Sequence, residues 1–584
     1  MRGRLFALLI VMVLGFGAIA VRLVDVQALN ADRYAVVGQD QRLHSIVLPA
    51  QRGSIVDRNG AELAVSIPRS TVFADPQMVS DPAAAARALS PVLDRPEAEL
   101  RALLSSSGNF VYLSRLVDDA VAAAVEELAL EGVGLQEEPT RVHPAGAIAS
   151  AVVGDVGIDA EGLSGLERQY EKELAGKPGE KLVERDPAGR DIANGVRHSR
   201  PPVRGHDLVL TIDRDLQFFT EQALARQIAS TRSKGGIAVV ADPRTGEILA
   251  MANLVAGPRG EAPQPAGYNK ALIDVYEPGS VNKLITFAAA LDDGAVTPTD
   301  RFSVPDTITV AGTQFLDAEP HPPGWWDAAE ILAHSSNAGA ILVAQQLGRA
   351  GLDKYLKAFG MDDDTGLGFP GEAAGILPDV DDWSGTSLPT LAIGYGLAVT
   401  PLRMLAAYNA IANGGVYVQP TLVKARVGAD GRRLPAAPPQ EKRVVSADTA
   451  RALTGMLAQA VRDGTGRTAA VEGYTVAGKT GTARKTADDG TLGYREGAYV
   501  ASFAGFLPAE SPRLSAIVVL DEPEPYTGAL ASGPVFAELA AYAARHFQVP
   551  PRAPAGPGSG APAGAQGGAE LAAATLTRSS ATRP

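Results

Sequence analysis

Leu5–Val21 is an unbroken uncharged run, LFALLIVMVLGFGAIAV, with Arg2 and Arg4 before it and Arg22 after it. As a helix its 17 residues span about 25 Å at 1.5 Å rise per residue, the short end of what crosses a hydrocarbon core. A cleaved export signal is the rival reading. No Ala-x-Ala site follows the run directly, and Arg22-Leu23-Val24-Asp25-Val26 continues a helical pattern. The expectation is therefore a retained anchor, residues 1–29. Positive charge before the span places the amino end in the cytoplasm and the body outside, in a single-pass cell-membrane protein. No later stretch is long and apolar enough to span again.

The whole chain has 53 Lys and Arg against 66 Asp and Glu. That balance, without a dense basic patch, argues against nucleic acid as a partner. There is no cysteine, which excludes thiolate catalysis, disulfides and zinc-thiolate sites. His321 and His334 are too far apart for a metal motif, and no His-Glu-x-x-His occurs. Metal-free hydroxyl or carboxylate chemistry, with no cofactor, is what remains.

At 584 residues the chain should hold two or three domains. Residues 30 to about 45 read as a polar helical stalk. Ser54–Ser66 reads as a hairpin around Asn59-Gly60, both of which can take positive φ. Ala- and Leu-rich stretches from Asp81 to Gly132 alternate with turns. Residues 30–205 are thus expected to form a mixed α/β module. Gly205–Asp213 reads as a strand whose Asp213 caps a helix over Leu216–Ala229. Gly236–Ala241 and Glu247–Ala252 read as two apolar strands joined across Asp242-Pro243-Arg244-Thr245-Gly246. A larger α/β domain, 206–548, follows from them. Residues 549–584, rich in Pro, Ala, Gly and Ser, bury too little apolar surface to fold and are expected to be disordered.

Within the larger domain, Tyr276-Glu277-Pro278-Gly279-Ser280-Val281-Asn282-Lys283 ends an extended approach and opens a helix with an apolar stripe at Leu284, Phe287, Ala288 and Leu291. Gly294 reads as its stop. Ser280 and Lys283, three apart, share a face. A serine hydroxyl becomes a useful nucleophile when a neighbouring base takes its proton, and a lysine serves as that base if its pKa falls toward neutrality.

Ser-x-x-Lys alone means little: about one match arises by chance in a chain of this length, and a capping serine before a surface lysine is the bland alternative. Two further segments change the weighing. His334-Ser335-Ser336-Asn337 supplies Ser-x-Asn at Ser335 and Asn337, after a helical stretch. Ser107-Gly108-Asn109 also matches, but in the first module. Val476-Ala477-Gly478-Lys479-Thr480-Gly481-Thr482-Ala483 supplies a single Lys-Thr-Gly on a strand-like stretch. The three in this order and setting are the signature of β-lactamases and penicillin-binding proteins.

The chain accordingly resembles the class B penicillin-binding proteins over nearly its whole length, and the layout looks most like the septal, division type. Ala241–Met251 is similar to the opening hairpin of their transpeptidase domain, and Ile393-Gly394-Tyr395-Gly396 with Thr400-Pro401 to a later segment. Arg52–Gly60 and Gly162–Glu167 resemble their pedestal, the dimerisation-type domain. The resemblance implies an α/β fold with an antiparallel sheet flanked by helices, and a peptidoglycan D,D-transpeptidase. It also implies roles. Ser280 attacks the D-Ala-D-Ala carbonyl of a stem peptide, and Lys283 takes its proton. The N–H groups of Ser280 and Thr482 form the oxyanion hole. Ser335 relays a proton to the leaving amine, and Asn337 holds Lys283 and substrate. Lys479, with Thr480, Gly481 and Thr482, receives the substrate carboxylate. β-Lactams should acylate Ser280. The family further implies a polytopic glycosyltransferase and divisome or elongasome partners.

Three alternatives stay open at this point: a β-lactamase or β-lactam sensor, a non-catalytic scaffold, and an elongation-type transpeptidase. Of the remaining candidates, Trp325-Trp326 reads as packing rather than cleft lining. Arg52, Asp57 and Arg58 read as pedestal ion pairs.

Overall fold

The computed structural model describes residues 2–30, 43–184, 192, 197–486 and 493–551. Helix α1, Arg2–Val24, runs into a π-helical turn, Asp25–Leu29. All of α1 is exposed and its apolar window has a mean hydropathy of 2.5. Being apolar all round, it has no polar face to turn to water. Among the described residues it is the one helix long and apolar enough to cross a membrane. The helical stalk expected next falls mainly on 31–42, outside the described residues. From Leu43 the chain is strand instead. Leu43–Leu48 pairs with Gly179–Glu184, which pairs with Arg197–Arg200. The segment expected to be disordered lies, beyond Pro551, outside the described residues as well.

In the pedestal the hairpin forms where expected, by a different turn. Asp57 Oδ1 accepts the N–H groups of Asn59 (2.8 Å) and Ala61 (2.7 Å), and only Gly60 has positive φ. The carboxylate closes the loop, so Asn59 need not go left-handed. The long strand that follows, Glu62–Ala74, pairs with Val111–Val117 and Val133–Val142, and helices Pro82–Leu93, Glu97–Leu104 and Asp119–Glu127 bury Leu89, Leu100, Leu104 and Val125 against it. Below this head, buried Glu167 meets Arg52 Nε at 2.6 Å and an Arg141 guanidinium nitrogen at 2.6 Å. Arg52 is thus a pedestal ion pair. Arg58 is not confined to the pedestal: it reaches Glu247 at 3.1 Å in the catalytic half. Asp57 accepts the N–H of Arg214 there, at 3.1 Å.

The two halves also share a sheet of seven strands. Ile55–Val56 of the pedestal pairs in parallel with Asp207–Leu210, which pairs with Val423–Val427 and through it with Arg433–Pro435.

The catalytic half is built on an antiparallel six-stranded sheet. Its strands are β1 (Gly235–Ala241), β2 (Ile248–Val255), β3 (Gln264–Pro265), β4 (Ala477–Thr486), β5 (Tyr494–Leu507) and β6 (Leu514–Asp521), in the order β3-β2-β1-β6-β5-β4. Alternate side chains feed two cores, as strand geometry dictates. Ala238, Val240, Phe503, Val518 and Leu520 pack under α2 (Arg214–Thr231) and a C-terminal helix, Gly533–His546. Ile237, Val239, Ala504, Phe506 and Ile517 face the larger core around α3 (Lys283–Asp292). Asp213 caps α2 by accepting from Leu216 N at 3.0 Å. Helices α4 (Ala328–His334) and α5 (Asn337–Ala358) follow α3, and Ala447–Arg462 packs beside them.

Candidate active site

Ser280 sits in a single 3-10 turn, Gly279–Asn282, from which α3 begins at Lys283. The sequence led us to expect a helix opening at Ser280; the tighter turn comes first. Gly279 N–H donates to Gly394 O at 2.9 Å, and a Cβ on Gly394 would lie 2.0 Å from Gly279 O. Glycine at 394 (φ +86°) is what lets this loop pin the turn. Glu277 Oε1 accepts Gly396 N–H at 2.7 Å and holds the same loop from the other side.

Residues Lys283–Ala290 of α3 are all buried. The Lys283 amine is therefore carried into the core, where long amines are rarely found unless bonded. Its Nζ donates to Ser335 O at 2.6 Å and to Asn337 Oδ1 at 2.8 Å. Two of its tetrahedral positions are thus used, and the third carries either a proton or the lone pair. Burial pulls its pKa down to about 7, against the opposing charge of Asp317. An amine with that proton affinity is about half free base near neutral pH.

Ser335 closes α4 in the left-handed region, φ 61° and ψ 28°. This bend turns its carbonyl toward Lys283, so the contact with the amine is through the backbone. The sequence motif implies a task only for the Ser335 hydroxyl. Ser280 Oγ has no hydrogen-bond partner among the described residues. Ser280, Ser335, Asn337 and Thr482 are half-buried, whereas Lys283 and Lys479 are fully buried. Ser280 reaches solvent and the two amines do not.

β4 lies against the Ser280 turn because position 481 is a glycine. A Cβ there would stand 2.3 Å from Ser502 Oγ and 3.1 Å from Pro278 O. Lys479 Nζ donates to Thr480 O (3.1 Å) and Thr480 Oγ1 (3.3 Å). Burial, with Lys283 nearby, holds Lys479 well below the ordinary lysine range; an incoming carboxylate would push the other way. Thr480 Oγ1 also meets Thr465 Oγ1 at 2.9 Å. Thr482 Oγ1 accepts Gly528 N–H at 3.1 Å, and its own proton remains to be donated.

All eight predicted site residues therefore converge on one place. Trp325 is exposed, and Trp326 stacks on His321 with ring centroids 4.5 Å apart. A residue the sequence did not single out, Asp317, accepts the N–H groups of Asn337 and Ala338. Twenty residues of chain separate it from them, and no local pattern marks such a contact. A cavity of about 830 Å³ lies elsewhere, lined by Ser164, Arg168, Tyr268 and Phe369 among others, and none of the motif residues face it.

The family model of the penicillin binding protein transpeptidase domain matches residues 236–541, and that of the penicillin-binding protein dimerisation domain matches 47–210. The chain is 35% identical over 541 residues to penicillin-binding protein PbpB of Mycobacterium tuberculosis, covering 86% of this chain and 79% of that one. It is 32% identical over 547 residues to the peptidoglycan D,D-transpeptidase FtsI of Escherichia coli, covering 91% and 90%. Among solved structures it is similar to penicillin binding protein 3 of Mycobacterium tuberculosis complexed with ampicillin. The TM-score is 0.69 at 32% identity, over 88% of this chain and 98% of that one. A peptidoglycan synthetase from Bifidobacterium adolescentis aligns with a TM-score of 0.72 at 30% identity, over 88% and 98%.

Proposed function

The chain belongs to the class B penicillin-binding proteins, and from that premise we propose that Ser280 is the nucleophile by which it works. The protein is a serine-type peptidoglycan D,D-transpeptidase. The observation that carries the residue assignment is the bonding of Lys283: a buried amine, pulled toward neutrality, one turn from Ser280 and steered by Ser335 O and Asn337 Oδ1.

In the acylation half, Ser280 Oγ attacks the carbonyl carbon between the two terminal D-alanines, and its proton passes to the Lys283 lone pair. The backbone N–H groups of Ser280 and Thr482 stabilise the oxyanion that develops, a charge present only in the transition state and intermediate. The carbon–nitrogen bond then breaks, and the D-alanine amine leaves with a proton relayed from Lys283 through Ser335. Lys479, Thr480 and Thr482, with Gly481 leaving room on β4, receive the terminal carboxylate. In the second half an acceptor amine of a neighbouring strand attacks the ester, gives up its proton by the same route, and releases Ser280. A β-lactam enters as the substrate's mimic and stops at the acyl-enzyme.

Residues 1–29 tether this chemistry to the membrane with the amino end inside. Residues 30–205 serve as pedestal and 206–548 as the catalytic domain. The division-type layout and relatives support a role at the division septum, and the family implies a polytopic glycosyltransferase beside it; localisation of a fluorescent fusion at septum or side wall tests the septal role. The residue assignment is tested by labelling the chain with a fluorescent penicillin, digesting it, and sequencing the adduct by mass spectrometry. The label is expected on the Ser280 peptide. A label on any other residue would overturn the mechanism.

A further inference from the structure

Asp317 belongs to none of the three motifs, yet it and its neighbour hold Asn337 at both of its N–H donor groups, backbone and side chain. Asp317 Oδ1 accepts the N–H of Asn337 at 2.5 Å and of Ala338 at 2.9 Å. The preceding carbonyl, Leu316 O, takes the Asn337 Nδ2 at 2.8 Å. With its amide nitrogen so engaged, Asn337 can turn only its oxygen to Lys283. The helix does not need Asp317 as a cap, because Ser336 Oγ already accepts Gly339 N–H at 2.8 Å.

The carboxylate is in turn held from behind. His321 Nε2 lies 2.9 Å from Asp317 Oδ2, and His321 Nδ1 lies 3.0 Å from Pro322 O. Both ring nitrogens face oxygen acceptors, which suits the doubly protonated imidazolium. The bond to Asp317 accordingly raises the pKa of His321. Trp326 stacks on that ring and fixes its plane.

We propose that Asp317 is a positioning residue of the transpeptidase: its carboxylate and the adjoining carbonyl seat Asn337 so that the amide oxygen grips Lys283, with His321 bracing the carboxylate. The inference rests on the assignment of Lys283 as base made above. Its charge has a second consequence. Lys283 is faced by Asp317 from the loop before α4 and by Lys479 from β4. Asp317 is faced by His321, and His321 by Asp317 and Asp306. Removing the negative charge at 317 therefore favours the free base of Lys283, while removing the positive charge at 321 leaves Asp317 uncompensated and favours the ammonium.

The test uses the full chain in detergent and measures the second-order rate of acylation by a fluorescent penicillin from about pH 5 to about pH 9, a range that brackets a base titrating near neutrality. Asp317→Asn keeps an oxygen for the two N–H groups and loses the charge. It should keep most of the plateau rate and move the acidic midpoint to lower pH. His321→Gln should move the midpoint to higher pH. Asp317→Ala loses the seat as well and should lower the plateau about tenfold or more, within the ~10²–10⁴-fold that general-base catalysis supplies. If the alanine variant does not fold, the asparagine variant decides alone. A folded Asp317→Ala variant that keeps the parent plateau, or an Asp317→Asn profile superimposable on that of the unsubstituted chain, overturns the proposal. An unsubstituted chain that takes no label on Ser280 is a different result: it removes the enzyme assignment and this inference with it.

Discussion

The side-chain oxygen of Asn337 accepts a 2.8 Å hydrogen bond from Lys283 Nζ, which joins α3 to α5 through one buried amine. Because that amine lies at the junction of two helices, its protonation state bears on stability as well as catalysis.

Replacing Lys283 separates those two effects. Arginine, the usual test for a base, is a poor probe here, since a larger cation forced into a fully buried position overpacks the core at a cost of about 1–3 kcal/mol. Methionine matches the shape without the charge. Lys283→Met should lower penicillin acylation by ~10²–10⁴-fold while melting no lower than the parent at neutral pH. Acylation within about tenfold of the parent, ~1.4 kcal/mol of barrier, would exclude the base role.

The pH dependence of stability follows from the same residue. The Lys283 pKa is about 7 in the folded protein against the 10.5 of an ordinary lysine. Between those values the unfolded chain binds a proton that the folded one does not, so stability contributed by this group rises with pH across that window. The Lys283→Met variant should lack this rise, its advantage in melting temperature over the parent shrinking from neutral toward alkaline pH. Parallel curves would show that Lys283 titrates normally.

Acylation itself should fall on the acid side of neutrality. Below a pH of about 7 the free-base fraction of Lys283 drops about tenfold per unit, and the rate should follow it. A profile flat down to about pH 5 would place the proton acceptor elsewhere, since carboxylates titrate lower.

Gly481→Ala tests the seating of β4 on the Ser280 turn. The added methyl collides with Ser502 Oγ and crowds Pro278 O, and relieving it moves the strand that carries Lys479 and Thr482. Acylation should drop by about tenfold or more, with a stability loss of about 1–3 kcal/mol. Unchanged labelling would mean the strand has room that the geometry denies.

The buried carboxylate of the pedestal supplies a control far from the chemistry. Glu167→Ala leaves Arg52 and Arg141 without their shared partner and should cost about 3–5 kcal/mol in denaturant melts. Folded molecules of the variant should still acylate at the parent rate.

What could be read in advance was local. The β1–β2 hairpin announced itself through Asp242–Gly246, α2 through Asp213, and the catalytic turn through Ser280 and Lys283, because turn chemistry and helical period act over a few residues. The resemblance in motif order then brought distant segments together. What could not be read was the wiring between them. That Ser335 offers its carbonyl to Lys283 depends on a left-handed bend at the end of α4. That Asp317 reaches Asn337, or Arg58 reaches Glu247, depends on tertiary placement no window of sequence contains.

The shared seven-stranded sheet has a consequence for how this protein can be divided. Its parallel pairing of Ile55–Val56 with Asp207–Leu210 means that cutting away residues 1–205 strips one neighbour from the latter strand. Leu208 and Leu210, fully buried in the intact chain, would then flank a raw β-edge with unpaired amides and carbonyls, the kind of template on which other chains add and aggregates grow. A free catalytic half would need that edge blunted by charge or proline before it stayed monomeric in solution.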